Sequence, residues 1–188
     1  MIEELIKKNR SYRRFYEEEE MDLNLLKSLV NLARFSASAR NMQSIRYKII
    51  NDANTKLQLF PLLKWAGYLE HWDGPIEGER PSAYILLLND EIVSNNYYCD
   101  DGLMTQNITL GAVKKGFGAC IIAAIDRPRL RALLNIDDKY KIIHIIALGK
   151  PKEEIVLEDI DETESIKYWR DSKAVHHVPK RKLDDLII

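Results

Sequence analysis

The sequence lacks the motifs that most directly indicate a catalytic chemistry. It has no Gly-x-Ser-x-Gly nucleophile elbow, no Walker loop and no Gly-x-Gly-x-x-Gly fingerprint. The common hydrolase, nucleotide hydrolase and dinucleotide-fold classes are therefore excluded. The Gly-Phe-Gly at residues 116–118 is too short a glycine signal for a phosphate loop, and a turn before a strand explains it. Because no nucleophile or base is visible, any chemistry is expected to reside in a cofactor.

Residues for metal and thiol chemistry are also scarce, with 2 cysteines and 4 histidines. Cys99 and Cys120 lack metal-ligand spacing, so we expect two reduced core thiols. His144 lies in an apolar run and is expected to be a core histidine with one hydrogen bond. The pair His176-His177 has no carboxylate or thiol at metal-ligand spacing. No metal ligand and no catalytic side chain is predicted.

Charge and hydropathy exclude two further kinds of partner. The 188 residues include 28 Lys and Arg against 29 Asp and Glu, a net charge of −1, whereas nucleic-acid-binding domains usually carry a broad basic face. Apolar runs such as Ile142–Leu148 are far shorter than the ~20 residues of a membrane span, and residues 1–9 do not open a secretory signal. We therefore expect a cytoplasmic protein of one domain, residues 1–188, that binds neither nucleic acid nor membrane.

Hydrophobic periodicity predicts an α+β sandwich, a small sheet of about four strands with helices against both faces. Residues 67–81 are expected to form a surface loop or partial lid. After residue 151 the chain is expected to be polar and irregular until an apolar tail, residues 180–188, which we expect to dock on a partner subunit. Helices are predicted near residues 2–8, 22–36, 57–65, 98–115 and 126–134, and strands at 47–50, 82–88, 119–125 and 141–148.

Three polar clusters have the composition of a binding site: residues 10–14, residues 38–43, and the basic run at residues 180–182. Guanidinium groups beside a serine hydroxyl suit a phosphate, because the planar fork donates parallel hydrogen bonds to its oxygens. A charge run of this kind is also typical of a solvated helix end. Trp65, Tyr68 and Trp72 could likewise line a substrate mouth, or anchor the core and loop. Asp100-Asp101 are interpreted as a helix N-cap.

The order of these clusters resembles the nitroreductase family of FMN-dependent oxidoreductases. Residues 10–15, Arg-Ser-Tyr-Arg-Arg-Phe, resemble the family's Arg-Ser-x-Arg-x-Phe opening, and residues 37–46 resemble its Pro-Ser-x-x-Asn-x-Gln-Pro-Trp segment. Residues 116–122, 147–151 and 180–186 resemble its Gly-x-Gly strand, its Leu-Gly-x-Pro close and its basic ending. The chain departs from this pattern at Asn9, where many relatives have Arg, at Ala37 for Pro, and at Ser44-Ile45 for Pro-Trp.

The resemblance implies a three-layer nitroreductase-like sandwich with a small central mixed sheet, assembled as a homodimer with FMN at the interface. The first cluster would contact the phosphate, ribityl chain or pyrimidine edge, and the basic ending would complete the phosphate site. The second cluster would reach the flavin from the partner subunit, and a backbone amide after the Gly-x-Gly strand would meet flavin N5. In that order, the implied residues are Arg10, Ser11 and Arg13; Lys180 and Arg181; Ser38, Asn41 and Gln43; Ala123 and Ala124.

The implied activity is hydride transfer from NADH or NADPH through flavin N5 to a small organic acceptor, nitroaromatic or quinone-like, by a ping-pong mechanism. Arg13 is the candidate for the cation that stabilises reduced flavin near N1. Two alternatives stay open. One is a flavin-binding module of the same fold without turnover, since fold does not imply function. The other is a dimeric structural protein with arginine clusters on its surface.

Overall fold

A five-stranded sheet forms the centre of the computed structural model, which describes residues 1–188. Its strand order is β2-β3-β5-β4, and the short β1 pairs with the last residues of β5. These pairings are all antiparallel, so the mixed character of the sheet is limited to an isolated parallel bridge between Ser11 and Ala119. The strands are β1 Phe15–Tyr16, β2 Ile45–Ile50, β3 Ala83–Asp90, β4 Gly118–Ile122 and β5 Tyr140–Pro151.

Helices cover both faces of this sheet, which confirms the predicted three-layer α+β architecture. On one face α2 and α4 contribute Leu29 and Ile108 to a core; on the other α3 and α5 contribute Leu59 and Leu130 to a second core. Because β3 and β5 lie between the two cores, their sequences are continuous apolar runs rather than alternating ones. The helices are α1 Ile2–Lys8, α2 Leu23–Ala33, α3 Ala53–Leu59, α4 Asp100–Lys114 and α5 Arg127–Leu134.

The helix predicted at residues 57–65 lies several residues earlier in the structure. The Asp52 carboxylate accepts a hydrogen bond from the Thr55 backbone N at 2.8 Å, so the helix begins at Ala53. It ends in a 3₁₀ turn, Phe60–Leu62, after which Leu63 is extended. The missed signal was the aspartate N-cap, which outweighed the apolar spacing that follows it.

A second sheet occupies the segment that was expected to be polar and irregular, and that expectation was wrong. It consists of β6 Ile155–Ile160, β7 Trp169–Arg170 and β8 His176–Arg181, in the order β6-β8-β7. Strands β6 and β8 are parallel, and β7 is antiparallel to β8. Few residues of this sheet, among them Ile160 and His176, are buried, and most of their neighbours are partly or fully exposed. The segment is therefore mostly polar and resembles a loop in composition.

Several smaller expectations can be compared with the structure. His144 is buried and its Nε2 lies 2.8 Å from Thr105 Oγ1, as predicted for a core histidine. Cys120 is a buried free thiol, but Cys99 is exposed, so only one of the two cysteines belongs to the core. The tail after β8 has exposed apolar side chains, among them Ile188, and its docking on a partner stays a prediction. None of the helices is long and apolar enough to cross a membrane.

Candidate functional site

A cavity of about 260 Å³ lies where the end of α1 meets α4, the start of β4 and β8. The structure brings four of the sequence-predicted residues together here: Arg10, Ser11, Arg13 and Lys180. The lining includes three cationic side chains and no carboxylate. Its full set is Asn9, Arg10, Ser11, Arg13, Gln106, Thr109, Ala119, Ile121, Tyr168, His176, Val178 and Lys180.

The alternation of strand β8 decides which residues of the C-terminal basic run reach the cavity. His176, Val178 and Lys180 line it, as expected for residues two apart on one strand face. Arg181 belongs to the opposite face, and its Nη1 donates to the carbonyl oxygen of Glu162 at 2.9 Å. Within one chain, therefore, Lys180 joins the first cluster and Arg181 does not.

A second cavity of about 190 Å³ lies beside the first and contains the predicted backbone position at Ala123 and Ala124. The two cavities share Arg13, Ile121 and Tyr168 in their linings. The remaining walls of the second cavity are mostly apolar, which suits a planar ring rather than a phosphate. The residues that only this cavity has are Lys64, Trp65, Ala66, Cys120, Ile122, Ala123 and Ala124.

Arg10 enters the first cavity without a carboxylate partner. Its Nη2 donates to the Ile6 carbonyl oxygen at 3.0 Å, while its buried Nε has no hydrogen-bond partner. Burial lowers the pKa of Arg10. Asn9, which departs from the family pattern, donates from Nδ2 to Thr109 Oγ1 at 2.8 Å and so ties this end of α1 to α4. The cation at the mouth of the cavity is therefore Arg10 rather than residue 9.

The next two arginines of the cluster have contrasting environments. Arg14 donates from Nε and Nη2 to the two carboxylate oxygens of Glu79, each at 2.6 Å, and this pair lowers the pKa of Glu79 to about 2. The Arg13 guanidinium donates from Nη1 to the Ser11 carbonyl oxygen at 3.2 Å, and lies 4.6 Å from the ring centroid of Tyr168. Arg14 is neutralised, whereas the Arg13 side chain forms no salt bridge.

His176 is the other neighbour of Arg13, and the sequence interpretation missed its role. Its Nε2 lies 3.1 Å from Arg13 Nη1, and the residue has no exposed surface. Burial, reinforced by Arg13 and Arg170, lowers the pKa of His176 to about 4, so the ring is neutral at pH 7. The sequence contained one signal for this role: His176 lies four residues before Lys180. Once β8 is recognised as a strand, that spacing places His176 and Lys180 on the same strand face.

The second polar cluster lines neither of these two cavities. Ser38 Oγ donates to Asp100 Oδ2 at 2.6 Å, and Gln43 backbone N donates to Ser38 Oγ at 2.9 Å. Arg40, Asn41 and Gln43 all have positive φ, near 50°, so the loop is sharply coiled. Asp100 is the first residue of α4, and Thr109 of the same helix lines the first cavity. The nine residues of helix from Asp100 to Thr109 place the second polar cluster ~14 Å from that cavity.

Asp100 does not act as the predicted N-cap. The residue in the N-cap position of α4 is Cys99, which makes no side-chain capping bond. The buried Asp100 carboxylate instead accepts from Ser38 Oγ and from the Ala39 backbone N, the latter at 2.9 Å. The prediction was wrong because the partner loop lies 61 residues away in sequence, beyond the reach of local capping rules.

Comparison with protein families gives a match that spans most of the chain. The model of the nitroreductase family matches residues 6–72 and 80–150. The chain belongs to the nitroreductase family. No match was found among curated protein sequences.

Solved structures of this family have the same fold. A nitroreductase family protein from Streptococcus pneumoniae is 17% identical, with 82% of this chain and 92% of that chain covered and a TM-score of 0.69. An FMN-dependent nitroreductase from Clostridium difficile is 20% identical, with 82% and 89% covered and a TM-score of 0.67. An NADPH:FMN oxidoreductase from Vibrio harveyi complexed with NAD⁺ is 18% identical, with 79% and 68% covered and a TM-score of 0.63. At these identities the likeness establishes the fold.

The family match omits residues 73–79 and everything after residue 150. Glu79, the partner of Arg14, lies in the first of these segments. Tyr168, His176 and Lys180 lie in the second. This member of the nitroreductase family therefore builds part of its cavity from segments that the family match does not cover. The side chains that hold Arg13 and Arg14 lie in the same segments.

Proposed function

We propose that this member of the nitroreductase family is an FMN-dependent oxidoreductase that takes hydride from NADH or NADPH and passes it to a small organic acceptor by a ping-pong mechanism. The observation that carries the proposal is the cavity with Arg10, Arg13 and Lys180 in its lining and no carboxylate. Relatives of the same fold include an FMN-dependent nitroreductase and an NADPH:FMN oxidoreductase, which supports the choice of cofactor.

The residues present fit FMN in chemistry and in size. A phosphate dianion is best held by guanidinium and ammonium groups with free donors, and Arg10 has a buried Nε without a partner. Ligand cavities usually measure roughly 300–1,000 Å³. The two cavities are individually smaller, about 260 and 190 Å³, but they share lining residues, and their combined volume falls within that range. One end is cationic and the other is apolar, as a phosphate and a ring system require.

Each end of the paired cavities has an assigned task. Arg10, Ser11 and Lys180 would hold the phosphate and ribityl oxygens, and Arg13 would lie at the pyrimidine edge. Backbone amides near Ala123 and Ala124 would face the ring, where bound FMN supplies the chemistry by accepting and donating hydride. A backbone donor cannot be titrated away, so this arrangement needs no acid-base side chain.

The proposal includes a homodimer, in which the loop of the second cluster reaches the flavin of the partner subunit. Ser38, Asn41 and Gln43 line neither cavity of their own chain, and Asn41 and Gln43 are exposed. The apolar tail, with Leu183 and Ile187 exposed, would pack on the partner. Arg181 would join the phosphate site only after rearrangement, because it faces away from Lys180.

Adjacent basic residues on β8 give a matched test of the phosphate site. In a titration of apoprotein with FMN, Lys180→Ala should weaken binding ~10–100-fold, as expected when a charge-assisted hydrogen bond is lost. Arg181→Ala should stay within about threefold of the wild type, since its side chain faces the other way. Equal losses in both variants, or no loss in either, would contradict this placement of the phosphate.

Activity separates this proposal from the alternative of a flavin-binding module without turnover. FMN-loaded protein is mixed anaerobically with NADH or NADPH, and the flavin absorbance near 450 nm is followed. The oxidoreductase should bleach with at least one nicotinamide and recover its colour when a quinone or nitroaromatic is added. Protein that binds FMN but is reduced by neither nicotinamide supports the module instead.

A further inference from the structure

The environment of Arg13 is unusual for a buried cation, because its side-chain partners are neutral. Arg13 is only 8% exposed. Its guanidinium contacts a carbonyl oxygen, the Tyr168 ring and the imidazole of His176. The nearby Glu153 accepts a hydrogen bond from the Arg13 backbone N and pairs with Arg170 at 3.0 Å. The carboxylate that could have neutralised Arg13 is thus committed to other donors.

The hydrogen-bond chemistry fixes the state of His176. A guanidinium has five donors and no acceptor, so the contact at 3.1 Å requires Nε2 of His176 to accept. The ring proton therefore resides on Nδ1. The lowered pKa of His176 keeps the ring neutral at pH 7, and its lone pair is available to Arg13. A neutral acceptor orients the guanidinium without cancelling its charge, whereas a carboxylate such as Glu79 would do both.

We infer that His176 is a positioning residue that holds the Arg13 guanidinium at the flavin site while leaving its positive charge to act on the flavin. The inference rests on the proposed function and extends it to the C-terminal sheet, which the family match does not cover. His176 acts through Arg13. Reduced flavin carries negative charge near N1, so an oriented, uncompensated cation there stabilises the reduced form.

Three substitutions separate positioning from packing. His176→Gln can keep a neutral acceptor near Nε2 and should bind FMN within about threefold of the wild type. His176→Phe keeps the ring but removes the acceptor, and should weaken FMN binding ~10–100-fold. His176→Glu provides an acceptor that also neutralises Arg13, so it should shift the flavin reduction potential to more negative values. His177→Gln, on the opposite face of β8, is the matched control and should change neither quantity.

The readouts are the FMN dissociation constant, from quenching of flavin fluorescence, and the reduction potential of the bound flavin. A third readout does not depend on FMN. In the ¹⁵N-labelled apoprotein the Arg13 Nε–H signal, identified by its loss in Arg13→Lys, should be sharp in the wild type and in His176→Gln. It should broaden or exchange faster in His176→Phe, because the guanidinium has lost its acceptor.

The outcomes distinguish this inference from the proposed function. Wild-type protein that does not bind FMN contradicts the function, and the NMR comparison then still tests whether His176 holds Arg13. If the wild type binds FMN but folded His176→Phe matches it in affinity, potential and NMR signal, the positioning role is wrong. The role is equally wrong if His176→Gln is as impaired as His176→Phe, since shape rather than the acceptor would then matter.

Discussion

The ion pair between Glu79 and Arg14 is expected to contribute strongly to stability, and its contribution to the free energy of unfolding can be worked out from the structure. The Glu79 side chain is 10% exposed, and Arg14 and Lys152 lie 2.6 and 3.2 Å from it. The hydrogen bonds from Arg14, followed by that from Lys152, lower the pKa of Glu79 from 4.5 to about 2. At ~1.36 kcal/mol per pKa unit, ionised Glu79 contributes about 3 kcal/mol to the free energy of unfolding at pH 7.

Glu79→Gln keeps the shape of the side chain and removes its charge. Urea denaturation at pH 7 should give a free energy of unfolding about 3 kcal/mol below the wild type, in the range expected when one partner of a buried pair is removed. Because the pKa is depressed in the folded state, the contribution is complete above pH 4.5 and is lost as the pH falls towards 2. The two proteins should therefore converge in stability between pH 5 and pH 2.5.

Glu77→Gln is the matched control for this experiment. Glu77 lies in the same loop and is exposed, so its substitution should change the free energy of unfolding by less than about 0.5 kcal/mol. The reasoning is refuted if Glu79→Gln lies within 1 kcal/mol of the wild type at pH 7. It is also refuted if the difference between them stays constant down to pH 2.5.

Two further predictions concern stability. A Cβ at Gly118 would lie 2.6 Å from Tyr12 Cδ2 and 2.8 Å from Pro151 Cγ, so Gly118→Ala should lower the free energy of unfolding by ~1–3 kcal/mol. Gly102 lies in α4 with open space around it, so Gly102→Ala should raise the free energy of unfolding by up to about 1 kcal/mol. Urea denaturation that ranks the two variants in the opposite order would contradict this account of the packing. Burial, together with the nearby Arg13, Arg170 and His177, lowers the pKa of His176 from 6.5 to about 4. The unfolded chain therefore binds the proton first, and the free energy of unfolding should fall by up to about 3 kcal/mol as the pH drops from 6.5 to 4. Urea denaturation of His176→Gln across that range should lack this pH dependence.

The central sandwich could be predicted from sequence because its signals are local and strong. β3 and β5 are covered on both faces, so each is a continuous apolar run of strand length. The N-cap residues of α2 and α5 are Asp22 and Asp126, whose carboxylates accept hydrogen bonds from backbone N–H groups within the first turn. Such capping residues lie next to the elements that they define.

The second sheet could not be predicted because its pairing is not local. β6 and β8 pair in parallel, with Ile155 opposite His176 and Ile160 opposite Arg181, and nothing near either strand specifies the other. Lys180 was predicted to be a cation of the site, and in the structure it lines the cavity with Arg10 and Arg13. That it rather than Arg181 lines the cavity depends on the face that β8 presents, which requires the register of the sheet.

Arg13 and Arg14 are adjacent and identical side chains, and they have different roles because His176 holds one and Glu79 holds the other. Arg13 and Arg14 alternate on an extended segment, so one faces the cavity and the other faces Glu79. The Glu79 carboxylate anchors Arg14 and neutralises its charge, and this ion pair stabilises the fold. A neutral histidine anchors Arg13 and preserves its charge. The double variant Glu79→Gln/His176→Glu gives Arg14 a neutral partner and Arg13 a carboxylate. It should be less stable than His176→Glu by as much as Glu79→Gln is less stable than the wild type, and it should keep the flavin reduction potential of His176→Glu, because the two effects act through separate residues.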